Sequence, residues 1–307
     1  MRKITIGTDP EYFMRNKSNG QLISAIPFIK GSKQVPHPLK SGGNIQADNV
    51  AVEFSTVPAV STLDFIVKLK ETFREAIEEL PDGMELAALP SAEFDPDQLK
   101  DPKACEFGCE PDYCAWGMCE NPVPVPPSST FRSCGGHIHV GCLHADGSPV
   151  HPDSQFLLEV EGKVLMVRGM DLFHGVISTI LDSSPAAVKR KKLYGKSGCH
   201  RPTTYGVEYR TLSAFWTKTP YSSMLVSSLT DDVVDLIVDN KLNALIEDVS
   251  SEEIRRIIDT GDVDGAKVVL NKYLMEHLSE DSKFYLEECL SKLAKADSIV
   301  KEWAITV

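Results

Sequence analysis

Arg132-Ser133-Cys134-Gly135-Gly136-His137-Ile138-His139-Val140-Gly141 alternates two imidazoles with two apolar side chains behind a pair of glycines. Successive side chains of a β-strand point to opposite faces. The spacing therefore predicts a strand with Ile138 and Val140 in the core and His137 and His139 together on the other face. Glycines at its start let a second backbone or a ligand come close.

Three more stretches repeat the pattern. In Ile4-Thr5-Ile6-Gly7-Thr8-Asp9-Pro10-Glu11-Tyr12-Phe13, Asp9 and Glu11 share a face opposite Ile4 and Ile6. In Asn49-Val50-Ala51-Val52-Glu53-Phe54-Ser55, Glu53 is opposed by Val50, Val52 and Phe54. In Tyr205-Gly206-Val207-Glu208-Tyr209-Arg210-Thr211, Glu208 and Arg210 share a face, with Arg201 a few residues earlier. Four half-buried strands would thus present acids, imidazoles and guanidinium groups from one side. Taken singly, each polar position also fits the solvated side of a sheet.

Outward from these strands, the Asn-Gly turn signal at Asn16 to Gly20 predicts that Leu22 to Phe28 returns as a hairpin partner. Gly31 to Asn44 reads as a loop and a flap near the site. Ser61 to Leu80 has helical spacing at Leu63, Ile66, Val67, Phe73, Ala76 and Ile77, with Ser61 or Thr62 as N-cap. A strand is expected at Met84 to Leu89. Residues 91–129 form a Pro- and Cys-rich excursion, which at that length is expected to be functional or an inserted module. A single helix is expected over Ser154 to Ser183, in which Asp171 and His174 read as ordinary surface or core residues. Lys189 to Arg201 is basic and Gly-containing, which fits either a phosphate site with Lys196 in it or a solvated loop. Beyond Tyr221 the periodicity predicts helices at Asp231 to Ile246, Ser251 to Asp259, Val263 to Leu278 and Ser282 to Trp303, with a capping box from Ser250 to Glu253. The expected division is a catalytic domain over 1–220 and a helical portion over 221–307 packing on it.

The chain has 307 residues and a formal net charge of -12. That charge argues against non-specific binding to nucleic acid or an acidic membrane, which depends on excess Lys and Arg. It fits a carboxylate-rich site for divalent metal. Met1-Arg2-Lys3 leads directly into strand-like sequence, so neither a secretory signal nor a membrane span is expected, and a cytoplasmic location follows. Of 8 cysteines, Cys105, Cys109, Cys114 and Cys119 lie close together but lack the tight C-x2-C pairs of a zinc site. Reduced thiols are the first reading and zinc the second.

As chemistry, Asp9, Glu11, Glu53, His137 and Glu208 are candidate ligands for divalent cations. Arg201 and Arg210 are candidates for phosphate, since a guanidinium fork gives two parallel hydrogen bonds. An oxygen-rich set with an imidazole suits Mg2+ or Mn2+. Neither a P-loop nor a G-x-G-x-x-G fingerprint is present. A metal-dependent hydrolase, a guanidino kinase-like phosphotransferase and a zinc-stabilised binding module stay open as alternatives.

Gly7-Thr8-Asp9-Pro10-Glu11, Gly135-Gly136-His137-Ile138-His139 and Glu208-Tyr209-Arg210, in that order, resemble the phage-type COOH-NH2 ligase family of the glutamine synthetase-like carboxylate-amine ligases. The match runs over residues 4 to 216. The resemblance implies an α+β fold: a curved, mostly antiparallel sheet with helices on its outer face and a helical C-terminal portion. It also implies ATP and Mg2+ or Mn2+, and small-molecule or peptide carboxylate and amine substrates joined through an acyl phosphate. By position it makes Asp9, Glu11, Glu53, His137 and Glu208 metal ligands. Arg201 and Arg210, with Lys196 and His139, would serve the nucleotide or acyl phosphate. Where glutamine synthetases commonly have Glu this chain has Asp9, and only Glu53 is a clear acid where they offer two. Asp48 is the candidate to fill that gap.

Overall fold

A computed structural model of the chain describes residues 2–106 and 111–306. Thr5–Asn16 is the central strand of a mostly antiparallel sheet. It pairs with Gly136–Gly141 on one side and Ala51–Ser55 on the other, and its far end pairs with Leu22–Ile23 and Met84–Ala87. Across the sheet the order is Asn44–Asp48, Ala51–Ser55, Thr5–Asn16, Gly136–Gly141, Gly206–Tyr209, Cys199–Pro202. The fold is α+β, as expected.

Alternation along these strands decides the two faces. Ile4, Ile6, Tyr12, Val52, Phe54, Ile138, Val140, Val207 and Tyr209 are all fully buried against helices. Tyr12 stacks on Phe54 at 5.5 Å between ring centroids and meets Phe73 edge-on at 5.6 Å. Each such aromatic is worth about 1.5–3 kcal/mol of burial. Phe73 belongs to the helix Thr62–Glu78, whose N-cap Ser61 accepts from the Asp64 amide. Phe65, Ile66, Leu69, Phe73 and Ala76 form its buried stripe, whereas Leu63 and Val67, expected on that stripe, face solvent.

The single helix expected over Ser154 to Ser183 is broken. A 3-10 turn at Pro152–Leu158 precedes Val160–Met170, a π-helical turn spans Asp171–Gly175, and Val176–Leu181 completes the run. By length and composition Val160–Leu181 could cross a membrane, yet 78% of its most apolar window is buried within the protein. It is a core helix, although Val160 at its start is exposed.

The next long helix begins earlier than its periodicity indicated. Pro220–Val238 starts at a capping box between Thr219 and Ser222 with Pro at its first position, and it packs on Thr62–Glu78, Val160–Met170 and Glu280–Lys292. It ends at Asp239 and Asn240, the latter at φ 57, so Leu242–Val249 is a separate helix. Ser251–Thr260 follows with Ser250 accepting from the Glu253 amide, and a π turn at Leu270–Leu274 interrupts the run from Val263. Ile299–Glu302 is a short separate helix carrying Trp303 to the Thr217 carbonyl at 2.8 Å. The main hydrophobic core extends from Ile4 to Ile305, and a smaller cluster gathers Phe13, Val50, Ala51, Phe94, Ala104 and Cys134.

The Pro- and Cys-rich excursion contributes strands. Ser91–Glu93 pairs with Phe131–Ser133, and the hairpin Tyr113–Cys114 and Cys119–Glu120 extends the main sheet along Cys199–Pro202. Cys114 and Cys119 pair across that hairpin, Cys105 is exposed, and Cys109 lies outside the described residues.

Candidate functional site

The face opposite the helices carries the chemistry, and strand register sets its order. Gln46 lies opposite Glu53 and Glu53 opposite Glu11. Asp9 lies opposite His137, His139 opposite Glu208, and Glu208 opposite Arg201. From one edge to the other the face therefore runs carboxylate, imidazole, guanidinium.

Two glycines make the centre possible. A Cβ on Gly136 would stand 2.4 Å from the Ser213 carbonyl oxygen, and one on Gly135 would stand 2.2 Å from His137 Nε2. Only glycine permits the close approach at both points. The Gly135 amide in turn donates to Glu11 Oε2 at 2.6 Å.

Asp9 is the meeting point. Its Oδ1 lies 3.1 Å from His139 Nε2 and 3.3 Å from His137 Nδ1. His137 Nδ1 is also 3.5 Å from Glu208 Oε1. Each ring meets a tyrosine hydroxyl on its other nitrogen: His139 Nδ1 with Tyr205 at 2.6 Å, His137 Nε2 with Tyr194 at 3.3 Å. Such outer partners orient ligand imidazoles. Burial lowers the His137 pKa to about 3, with Arg210 adding to the effect, so its ring is neutral. Burial alone would raise the Asp9 pKa, but the His139 and His137 imidazoles against it outweigh that and hold Asp9 well below the usual carboxylate range.

Glu208, 2% exposed, is clamped between two arginines. Arg210 Nη1 donates to Oε1 and Arg201 Nη1 to Oε2 at 3.0 Å. Arg210 lies over the Tyr194 ring at 5.0 Å, with Arg190 at 5.3 Å from the same ring. Asp112, from the excursion, comes within 3.9 Å of Arg210 Nε. At the other edge three acids stand close together. Burial raises the Glu11 pKa to about 7, with Asp48 adding to it. Burial, then Asp9, Asp48 and Glu11, push Glu53 well above its ordinary value, although Gln46 donates to it at 2.7 Å.

A divalent cation fits this arrangement. Asp9, His139 and Glu208 each offer a ligand atom within 4.8 Å of the others. Asp9 Oδ1 and His137 Nδ1 are buried without an aligned hydrogen-bond partner, as expected of atoms built to hold an ion. The face thus gathers Asp9, Glu11, Glu53, His137, His139, Glu208, Arg201 and Arg210. Lys196 is not gathered: it is exposed, and its carbonyl serves the fold by accepting from Thr211 Oγ1 at 3.0 Å. The basic loop contributes instead Tyr194 and Arg190, the latter buried with its guanidinium on the Cys134 and Thr211 carbonyls.

Sequence reasoning missed Tyr194, Tyr205 and Asp171. Asp171, in the π turn, is fully buried and accepts from Trp116 Nε1 at 2.6 Å, the Gly198 amide at 2.6 Å and the Tyr209 hydroxyl at 2.8 Å. It braces the strands of Arg201 and Glu208 from below the sheet. Its only sequence signal was an acid inside an apolar helix.

No curated protein sequence matches the chain. Among solved structures, a bifunctional glutathione synthetase from Pasteurella multocida is similar at TM-score 0.47 and 12% identity, over 98% of this chain and 48% of that one. The chain therefore spans about half the length of that protein. A glutamine synthase homologue is similar at TM-score 0.40 and 14% identity, over 92% of this chain and 70% of that one. The family match covers the Glu208 strand and the C-terminal helices as far as residue 303, whereas the Gly7–Glu11 and Gly135–His139 motifs lie outside it. Residues 153–303 match the model of the phage phiEco32-like COOH.NH2 ligase-type 2 family.

Proposed function

We propose that the protein is an ATP-dependent ligase that joins a carboxylate to an amine through an acyl phosphate. The observation that carries this reading is Glu208. One carboxylate is shared between a cation-holding group, Asp9 with two imidazoles, and a pair of guanidiniums suited to phosphate oxygens. Asp9, Glu208 and the imidazoles would hold Mg2+ or Mn2+, which supplies charge neutralisation on the phosphoryl oxygens.

The protein's own groups do the rest. Arg201 and Arg210 turn from Glu208 to the transferring phosphoryl group, where their planar forks stabilise charge that builds in the transition state. The substrate carboxylate oxygen attacks the γ-phosphorus, and the bond to the β,γ-bridging oxygen breaks to release ADP. The amine nitrogen then attacks the acyl carbon, phosphate leaves, and the nitrogen gives up a proton. The acyl phosphate must be kept from water. The hairpin carrying Asp112 beside Arg210 and the turn carrying Lys33 beside Asp48 flank the face on its two sides. The substrates are a small-molecule or peptide carboxylate and an amine.

The test is phosphate release from ATP with Mg2+ or Mn2+, with and without a pooled panel of carboxylates and amines, beside Glu208→Ala. Release that needs both a carboxylate and an amine, and vanishes in the variant, supports the reading. Hydrolysis of a panel member without ATP would replace it with a metal-dependent hydrolase.

A further inference from the structure

Glu11, Asp48 and Glu53 lie together at the acid edge, where a lysine reaches Asp48. Lys33 Nζ is 2.9 Å from Asp48 Oδ1, and the nearby charges of Glu53 and Glu11 also act on it. The turn that presents it is tightly built. Ser32 and Val35 exchange backbone hydrogen bonds at 3.0 Å in both directions. Just before them Gly31, at φ +89, is packed so closely that a Cβ would lie 2.6 Å from both the His37 amide and the Ile45 carbonyl oxygen. The turn is thereby pinned to the strand of Gln46 and Asp48.

We propose that the Lys33 ammonium is the resident cation of the Glu11, Asp48 and Glu53 group, standing where the carboxylates would otherwise gather a further divalent ion. An isolated surface pair of this kind would contribute about 0–1 kcal/mol and mean little. Here the Asp48 side chain is 22% exposed and two further carboxylates, Glu11 and Glu53, lie behind it, while Arg201 and Arg210 donate to Glu208. A compact, strongly hydrated ammonium with three donors can satisfy several carboxylate oxygens at once, as a metal ion does. The site so built takes its divalent charge at Asp9 and Glu208 and a protein charge at the acid edge. This inference rests on the cation reading of Asp9 and Glu208 given above for its first half alone.

The test is a count of Mn2+ bound per chain by calorimetric titration, without nucleotide, in the full chain, in Lys33→Met and in Lys33→Arg. Lys33→Met is expected to bind one more ion than the native chain, and Lys33→Arg no more, because the guanidinium keeps the charge in place. Equal counts in the native chain and Lys33→Met overturn the inference. A native count of none rising to one in Lys33→Met would support the role of Lys33 while removing the Asp9 and Glu208 cation reading. Lys33 sits in an exposed turn, and the melting temperature of each variant checks that the fold is intact.

Discussion

The two edges of the functional face solve the same problem of buried charge in opposite ways. At the guanidinium edge every charge has a partner, with Glu208 held by Arg201 and Arg210, and Arg210 packed on Tyr194. At the acid edge the carboxylates crowd one another, so Glu11 titrates near pH 7 and Glu53 well above its ordinary value. A buried acid that lacks a cation keeps its proton. The guanidinium edge is thus complete before any ligand arrives, whereas the acid edge sets one ammonium, Lys33 on Asp48, against three carboxylates. The largest expected effect tests that division. Arg210→Ala should lower ATP affinity and turnover by about 10^3, the order seen when a group serving the transition state is removed. Mn2+ affinity should hold or rise, because Glu208 is released. Equal loss of Mn2+ and ATP binding would show that the edges act as one unit.

Beneath the guanidinium edge, Asp171 gives a stability test. Its pKa is raised from 3.8 to about 6 by burial, against the pull of Trp116 and Tyr209. A raised folded-state value means the native protein prefers the protonated form. That contribution is complete below about pH 4 and is lost as pH rises through about 6, and it amounts to about 3 kcal/mol. Asp171→Asn cannot ionise. The unfolding free energy of the variant relative to the native chain, measured in urea, should therefore rise by about 3 kcal/mol between pH 4 and pH 7. A flat difference would show that the donors on Asp171 keep it ionised throughout.

Smaller still is a pH effect at the acid edge. If the further ion in Lys33→Met contacts Glu11, its binding must displace the Glu11 proton below about pH 7. Affinity for that ion should fall about tenfold per pH unit there and level off above. A titration series across pH 5 to 8 reads it directly.

The face itself was legible because alternation is local physics. Asp9, Glu11, Glu53, His137, His139, Glu208 and Arg210 alternate along or next to strands with side chains that face the core, and the period of two assigns their side without knowledge of the pairing. Helical spacing was less decisive. It located Thr62–Glu78 but put Leu63 on the wrong side, and it missed the π turn at Asp171, whose carboxylate meets Trp116 from 55 residues away in sequence. Tyr194, Tyr205 and Lys33 escaped for the same reason. They lie in loops without periodicity, and their contacts with His137, His139 and Asp48 exist only once strands and turns are assembled. The early start of Pro220–Val238 was readable in Thr219-Pro220, a capping residue followed by the one residue that suits a first helical turn.

The least effect is expected from the tyrosines, and it separates two assignments of the imidazoles. By resemblance His137 is the metal ligand, whereas the compact donor group of the structure is Asp9, His139 and Glu208. Each ring is oriented by its own hydroxyl, so removing one hydroxyl perturbs one ring. Outer partners of metal-bound imidazoles are worth about 10–100-fold in affinity. Tyr205→Phe should fall at the low end, about tenfold, because the His139 side chain is 22% exposed and water can take the vacated position. The His137 side chain, at 3%, has no such access, so Tyr194→Phe should cost more if His137 is the ligand. Mn2+ affinities of the two variants decide the matter. A loss confined to Tyr205→Phe assigns the ion to His139 and leaves His137, neutral and buried, to hold Asp9 in position. A loss confined to Tyr194→Phe assigns it to His137, and loss in both makes Asp9 the hinge of a site that uses the two rings together.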